Sequence, residues 1–296
     1  MEAKIDNKER SRIRNKKRSQ WVEVLRRLKK NKAAMFGLFI IFMLIIVAIF
    51  ADFITTYDYA KQNLDEALQS PSFKHFFGTD EFGRDIFTRI IYGSRISLLV
   101  GILAVGIAIF IGGGLGAIAG FYGGKLDNVI MRSMDVLLAI PSILLAISIV
   151  AALGSGLVNL MIAVGIANIP RYARIMRASI LSVRDQEFIE ASQSVGASDF
   201  TIIVKHIIPN CLAPVIVQGT LGVASAILSC AGLSFIGLGI NPPTPEWGSM
   251  LSRGRDYLRD YWHVTAFPGM AIMITIFALN LFGDGLRDAF DPKLKN

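Results

Sequence analysis

The chain has 296 residues, 53% of them hydrophobic, with a mean hydropathy of +0.50. Several apolar runs exceed the ~18 residues that cross a bilayer, which excludes an ordinary soluble domain and points to an all-α integral membrane protein. The net charge is +8, yet residues 1–32 hold 13 Lys or Arg against 4 Asp or Glu and the remainder holds 18 against 19. A basic run just ahead of an apolar span reads as a cytoplasmic retention signal that also touches anionic membrane lipid, not as a nucleic-acid arm.

Within the arm, Trp21, Val22, Val24, Leu25 and Leu28 interleave with Arg26, Arg27, Lys29 and Lys30, a pattern that predicts an amphipathic helix in the membrane interface. Residues 33–51 form the first span, too deep in the chain and too uniformly apolar for a cleaved signal peptide. Residues 52–95 are a polar excursion. Gly78, Asp80, Gly83 and Asp85 mark turns in it, and Ile86, Ile90 and Ile91 with Arg84, Arg89 and Arg95 predict a helix lying on the membrane surface. His75 stands among Asp80, Glu81 and Asp85, but one histidine among carboxylates without repeated ligand spacing does not make a metal site.

The second span, 96–120, carries Gly112, Gly116 and Gly120 at i, i+4 and i+8. That spacing leaves one face bare and predicts close approach of a neighbouring helix. Gly124 and Lys125 superficially suggest a phosphate-binding loop, which would need glycine at 119 and Ser or Thr at 126; Ala119 and Leu126 stand there, so no ATP site and no catalytic residue is expected. The third span, 129–153, starts near Arg132 and Asp135, placed to pair with each other, and Pro141 predicts a kink. The fourth, 157–170, exits among Arg171, Arg174, Arg177 and Arg184.

Residues 185–210 then interrupt the apolar pattern. Asp185 and Glu187 favour a helix start, and Phe188, Ile189, Ala191 and Val195 recur at helical spacing. Gly196 stands where a left-handed residue ends that helix; Ser198 or Asp199 caps a second with Phe200, Ile203, Ile207 and Ile208 as its apolar face, and Pro209 is expected to stop it. The fifth span, 212–240, offers Gln218, Thr220, Ser225 and Ser229 as polar points, weak candidates for lining a path. Cys211 and Cys230 bracket it, roughly 28 Å apart at ~1.5 Å per residue, too far for a disulfide. A second polar loop, 241–268, presents Trp247, Tyr261 and Trp262 as interface anchors, and 271–285 is the last span. Six spans with the N-terminus inside put 23 Lys or Arg on the cytoplasmic side and 8 outside, as the positive-inside rule requires.

Two strings carry a family resemblance. Glu190, Ala191, Ser192, Gly196, Ile208 and Pro209 fall on the pattern E-A-A-x3-G-x9-I-x-L-P of the cytoplasmic loop of ABC importer permeases, with Ser192 in place of the second alanine and His206 in place of isoleucine. His75 to Gly101, beginning HFFGTDEFGRD, is very close to the segment that precedes the permease core in the C-type subunit of dipeptide, oligopeptide and nickel importers. The resemblance implies a type I, MetI-like fold of six transmembrane helices with both termini cytoplasmic. Its parts are a basic arm (1–32), a first helix and external loop (33–95), a core (96–288) containing the coupling loop 180–210, and a tail (289–296).

By that resemblance Glu190, Ala191, Ser192, Gly196, Ala197, Ile208 and Pro209 contact an ATPase, and the partners are a homologous B-type permease, two cytosolic ATPases and an extracytoplasmic solute-binding protein. ATP and Mg belong to the partner subunits, no cofactor or metal is bound by this chain, and the expected location is a bacterial or archaeal plasma membrane. Peptide is the expected cargo, nickel or another small solute the alternative within the family. A stand-alone channel or secondary transporter is the alternative of a different class, disfavoured because the spans carry no charge near their middles.

Overall fold

The computed structural model describes residues 20–291. The arm's residues 1–19 and the tail's 292–296, expected to touch lipid and to lie in the cytoplasm, fall outside that range, as does the Trp21 side chain. Among the described residues the regular structure is helical.

Helix α1 (Gln20–Lys30) turns its Val24 and Leu28 stripe onto Ala34, Leu286 and Ala289, and Arg27 donates to the Asp291 carbonyl at 3.1 Å. Its apolar stripe thus packs on the far end of the chain's last helix, while Val22 and Leu25 stay exposed. Asn31 caps α2 (Lys32–Ile49) by accepting from the Ala34 amide at 3.1 Å. A short α3 (Ala51–Ile54) follows.

Helix α4 runs unbroken over Ile86–Tyr122, 37 residues, or roughly 56 Å at ~1.5 Å per residue. The hydrocarbon layer is only ~30 Å thick, so the first turns of α4 stand outside it. The expected surface helix is therefore the raised end of the second span, and Arg84 and Arg89 are buried in ion pairs instead of facing headgroups.

The expected third span is two helices. Helix α5 (Gly124–Ala139) and α6 (Ser142–Leu153) meet at Pro141 with a bend of 89°. A proline removes one backbone donor and its ring crowds the preceding turn, and here the helix breaks instead of kinking. Asp135 pairs with Arg174 of α7 (Leu157–Leu181) at 2.7 Å, not with Arg132.

The glycine face behaves as its spacing predicts. A Cβ on Gly112 would strike the Ile169 carbonyl, one on Gly116 the Ala173 carbonyl, and one on Gly120 would come within 3.1 Å of the Arg177 carbonyl. Lipid tails are as apolar as these side chains, so the α4–α7 contact rests on van der Waals packing at close range, not on removing surface from water.

After α7 come α8 (Glu187–Ser194) and the three-residue α9 (Asp199–Thr201). A π-helical turn over Ile202–Ile207 leads into α10 (Ile208–Phe235). Beyond α10, α11 (Trp247–Gly254) is capped by Glu246, whose carboxylate accepts from the Gly248 and Ser249 amides at 2.8 Å each. The last helix is α12 (His263–Phe290), longer than the expected span at both ends.

Trp247 is 1% exposed and donates to the Ile90 carbonyl at 3.1 Å, so it is a core residue and not an interface anchor. Trp262, 57% exposed, is placed as an anchor should be. Among the described residues, four helical bodies are long and apolar enough to cross a membrane, and the bent pair α5–α6 makes a fifth.

Candidate functional site

The stretch 185–210 forms a corner at the end of the bundle where α4 finishes and α12 ends. Helix α8 closes at Val195 and Gly196 follows with φ +78°, a left-handed conformation that strains any residue with a Cβ. Nothing lies within 4 Å of where a Cβ on Gly196 would sit, so the backbone conformation, not crowding, asks for glycine. Ser198 then caps the second helix by accepting from the Thr201 amide at 3.4 Å.

The inner face of this corner is held by Ile189, Ile202 and Ile207, which bury against Met176 and Ile180 of α7 and Ala117 of α4, with Ala197 packed at the edge. Of the face expected from periodicity, Phe200, Ile203, Ile207 and Ile208, Ile207 is buried as expected, whereas Ile202 takes the place of Ile203 and Phe200 is exposed. The π turn supplies the reason: it spends one extra residue per turn, so a face read at strict α spacing slips by one position across it.

Pro209 does not stop the helix. It follows closely on the π turn, whose wider backbone leaves room for the ring, and the Ile208 amide reaches back five residues to the Ile203 carbonyl. Asn210 donates from its side chain to the His206 carbonyl at 2.6 Å. Residues Asp199–Phe235 are consequently one helical body of 37 residues, leading from the corner straight into the bundle. The break expected at Pro209, between the corner and the fifth span, is not there.

The outer face is bare. Glu190, Ala191 and Gly196 are exposed, and so are two large apolar side chains beside the turn, Val195 at 83% and Phe200 at 76%. Ser192 and Ser194 turn their hydroxyls back to the Phe188 and Glu190 carbonyls at 2.7 and 2.9 Å, satisfying themselves on their own helix. Around the corner's base, Arg177 binds Asp127 through two bonds of 2.6 Å and Arg184 donates to the Gly120 carbonyl at 3.0 Å. These contacts fix α7 to the α4–α5 junction, so the corner stands on a braced platform.

The polar points of α10 do not share one surface. Gln218, Ser225 and Ser229 fall on one helical face and Thr220 on the opposite one. Gln218 lines a recess with Pro214 and Arg287, whereas Thr220 borders an apolar groove of about 800 Å³ beside Ile45, Ile102 and Val223. With its side-chain amide turned so that the oxygen faces Arg171, Gln218 accepts from that guanidinium at 2.7 Å. Thr220 and Ser225 donate to carbonyls four residues back, at 3.1 and 3.4 Å.

At the opposite end the two polar loops form a rigid cap, which the sequence marked by turns but did not reveal as a scaffold. Asp80 accepts from the Phe82 and Arg84 amides at 2.9 Å and from the Arg84 side chain at 2.7 Å. Asp85 caps α4 through the Thr88 amide at 2.7 Å and meets His75 at 2.9 Å, while the other ring nitrogen of His75 lies 3.2 Å from Glu66. Arg89 ties the loops together, donating to Tyr59 and Pro243 carbonyls at 2.8 and 3.2 Å. A hydrogen bond to Lys74, and next one to His75, holds the Glu66 carboxyl below its usual range. Burial pushes Glu81 and Glu246 up.

Residues 112–296 match the family model described as binding-protein-dependent transport system inner membrane component, and residues 19–71 match the N-terminal TM domain of oligopeptide transport permease C. The chain belongs to this family of transport-system membrane components. It is 51% identical over 278 residues to the dipeptide transport system permease protein DppC of Alkalihalophilus pseudofirmus, covering 94% of this chain and 91% of that one. It is 45% identical over 272 residues to the di/tripeptide permease protein of Pseudomonas aeruginosa, 90% of each chain. It is 48% identical over 279 residues to the glutathione transport system permease protein GsiD of Escherichia coli, 94% of this chain and 92% of that one. In fold it is similar to an inward-facing MetNI methionine ABC transporter, with a TM-score of 0.55 at 18% identity over 69% of this chain and 97% of the other. This chain is thus a multi-pass membrane component of a transport system, with a MetI-like helical fold.

Proposed function

We propose that the chain is one permease half of a peptide-importing ABC transporter and that its 185–210 corner is the seat of an ATPase subunit. The observation that carries this reading is the continuity of Asp199–Phe235. A force applied at Gly196 has no flexible link in which to dissipate before it reaches α10, which packs on α4, α7 and α12 in the core. The apolar pair Val195 and Phe200 offers a surface that a partner would bury, and the exposed Glu190 supplies a charge at its edge.

In this reading α7 also crosses the membrane, fourth in chain order, which brings the spans to six; its Arg171, Arg174 and Arg177 lie in the cytoplasmic half, and both termini are inside. Closure of an ATP-loaded ATPase pair moves the corner, α10 moves with it, and this half rocks against a homologous second permease between inward-open and outward-open states. A solute-binding protein delivers the cargo outside. Peptide is the cargo because the dipeptide, di/tripeptide and glutathione permeases are 45–51% identical over nearly the whole chain.

The test is purification from the native membrane in mild detergent followed by reconstitution. Recovery of a second permease and two ATPases, with ATP-dependent uptake of a di- or oligopeptide when binding protein is supplied, supports the reading. A chain that purifies alone and moves solute without ATP contradicts it.

A further inference from the structure

Beside a groove in the external cap stands a cation, Arg253, that the scaffold holds only weakly. Arg84 is paired to Asp80 at 2.7 Å and to Glu81 at 3.6 Å, and Arg89 is spent on two backbone carbonyls and on Asp80 at 3.5 Å. Arg253, by contrast, reaches only Glu81, at 4.0 Å, and among the described residues makes no hydrogen bond; its side chain is 30% exposed. Three guanidinium groups here face two carboxylates, Asp80 and Glu81, leaving positive charge in excess.

Arg253 borders a groove of about 670 Å³ that opens between Gln62 and Phe82 on one wall and Pro242 and Pro243 on the other. Arg253, Arg84 and Glu81 also line a separate crevice of about 10 Å³ beside the buried Asp80, room for about one water molecule. The groove, bordered by both polar loops, is wide enough to receive a side chain. Placement of a cation in the last turn of α11 suits that helix's dipole, but the dipole explains neither the groove nor the unused donors.

We propose that this groove receives an acidic side chain of the extracytoplasmic binding protein, with Arg253 as the anchor. The inference rests on the importer reading above. A guanidinium with its donors free offers a carboxylate a bidentate, charge-assisted contact, and a half-exposed pair of this kind acts mainly on the association rate and its salt dependence.

The test uses the whole importer in lipid nanodiscs and its purified binding protein, with association followed by interferometry in low and high salt. Assembly of the complex is checked for each variant first. Arg253→Gln should slow association several-fold, and Arg253→Glu by about tenfold or more at low salt, with both differences shrinking at high salt. Wild-type association rates and salt dependence in both variants would overturn the proposal. So would a defect confined to uptake of peptides with a free C-terminal carboxylate and absent for amidated peptides, which would give the groove to the cargo. If the wild-type complex binds no binding protein at any salt, the importer reading fails together with the groove.

Discussion

The side-chain amide of Asn210 donates to the His206 carbonyl at 2.6 Å, bracketing Pro209 inside a helix that proline would normally end. Proline removes a donor and crowds the carbonyl four residues back. The π turn over Ile202–Ile207 widens the helix ahead of the ring, and Asn210 supplies a bond where the backbone is poor in donors. The outcome is mechanical: a helix–turn–helix corner becomes the tip of a membrane helix.

Replacing the proline tests that view. Pro209→Ala restores the amide and removes the crowding, so the π turn is expected to relax to α geometry and rotate the corner by about one residue relative to α10. Thermal stability in detergent should hold or rise, while ATP-driven transport falls severalfold. Unchanged transport would show that the corner's register does not matter.

Gly196 should rank its substitutions by backbone conformation. The left-handed φ of +78° costs a Cβ-bearing residue about 1–2 kcal/mol, least for asparagine and most for a β-branched side chain. Gly196→Asn should transport nearly as wild type, Gly196→Ala less, and Gly196→Val not at all, with membrane insertion intact in all three. Normal transport by the valine variant would remove the docking role from this turn.

At Gly116 the constraint is contact, not conformation. A side chain there meets the Ala173 carbonyl directly, and overpacking of this kind costs ~1–3 kcal/mol or more. Gly116→Leu should lower the yield of folded protein and the detergent melting temperature, whereas Gly106→Leu, at a position with nothing within 4 Å, should leave both unchanged. Equal behaviour of the two would mean that α4 and α7 do not pack closely.

The external cap should loosen in acid. Glu66 is held below its ordinary 4.5 by its bond to Lys74 and then by His75. A depressed carboxylate stabilises the fold above its unfolded value and loses that contribution as pH falls through its folded value. Glu81 is raised by burial, so its contribution is present in acid and is lost as pH rises through its folded value. Proteolysis of the 52–85 loop should therefore accelerate below about pH 4.5, and Glu66→Gln should flatten that acid limb. An acid limb of the same steepness in Glu66→Gln would assign it to other groups.

Much of the bundle was legible in the sequence, because lipid imposes long apolar runs and bare glycine faces that survive in the one-dimensional pattern. The turn at Gly196 and its Ser198 cap were readable for the same local reason. What escaped notice depended on partners distant in sequence. Asp135 answers Arg174 across 39 residues, Trp247 answers Ile90 across 157, and Arg89 joins Tyr59 to Pro243. Pro209 misled because its usual consequence is local, while its accommodation here needs the π turn and Asn210 together.

The most direct test of the central claim places a photo-crosslinking residue at Phe200, exposed beside the Gly196 corner, in the intact transporter. The account predicts a covalent product with the ATPase subunit whose yield changes when ATP is bound. Capture of lipid alone, or of nothing, in a complex that still transports would contradict it.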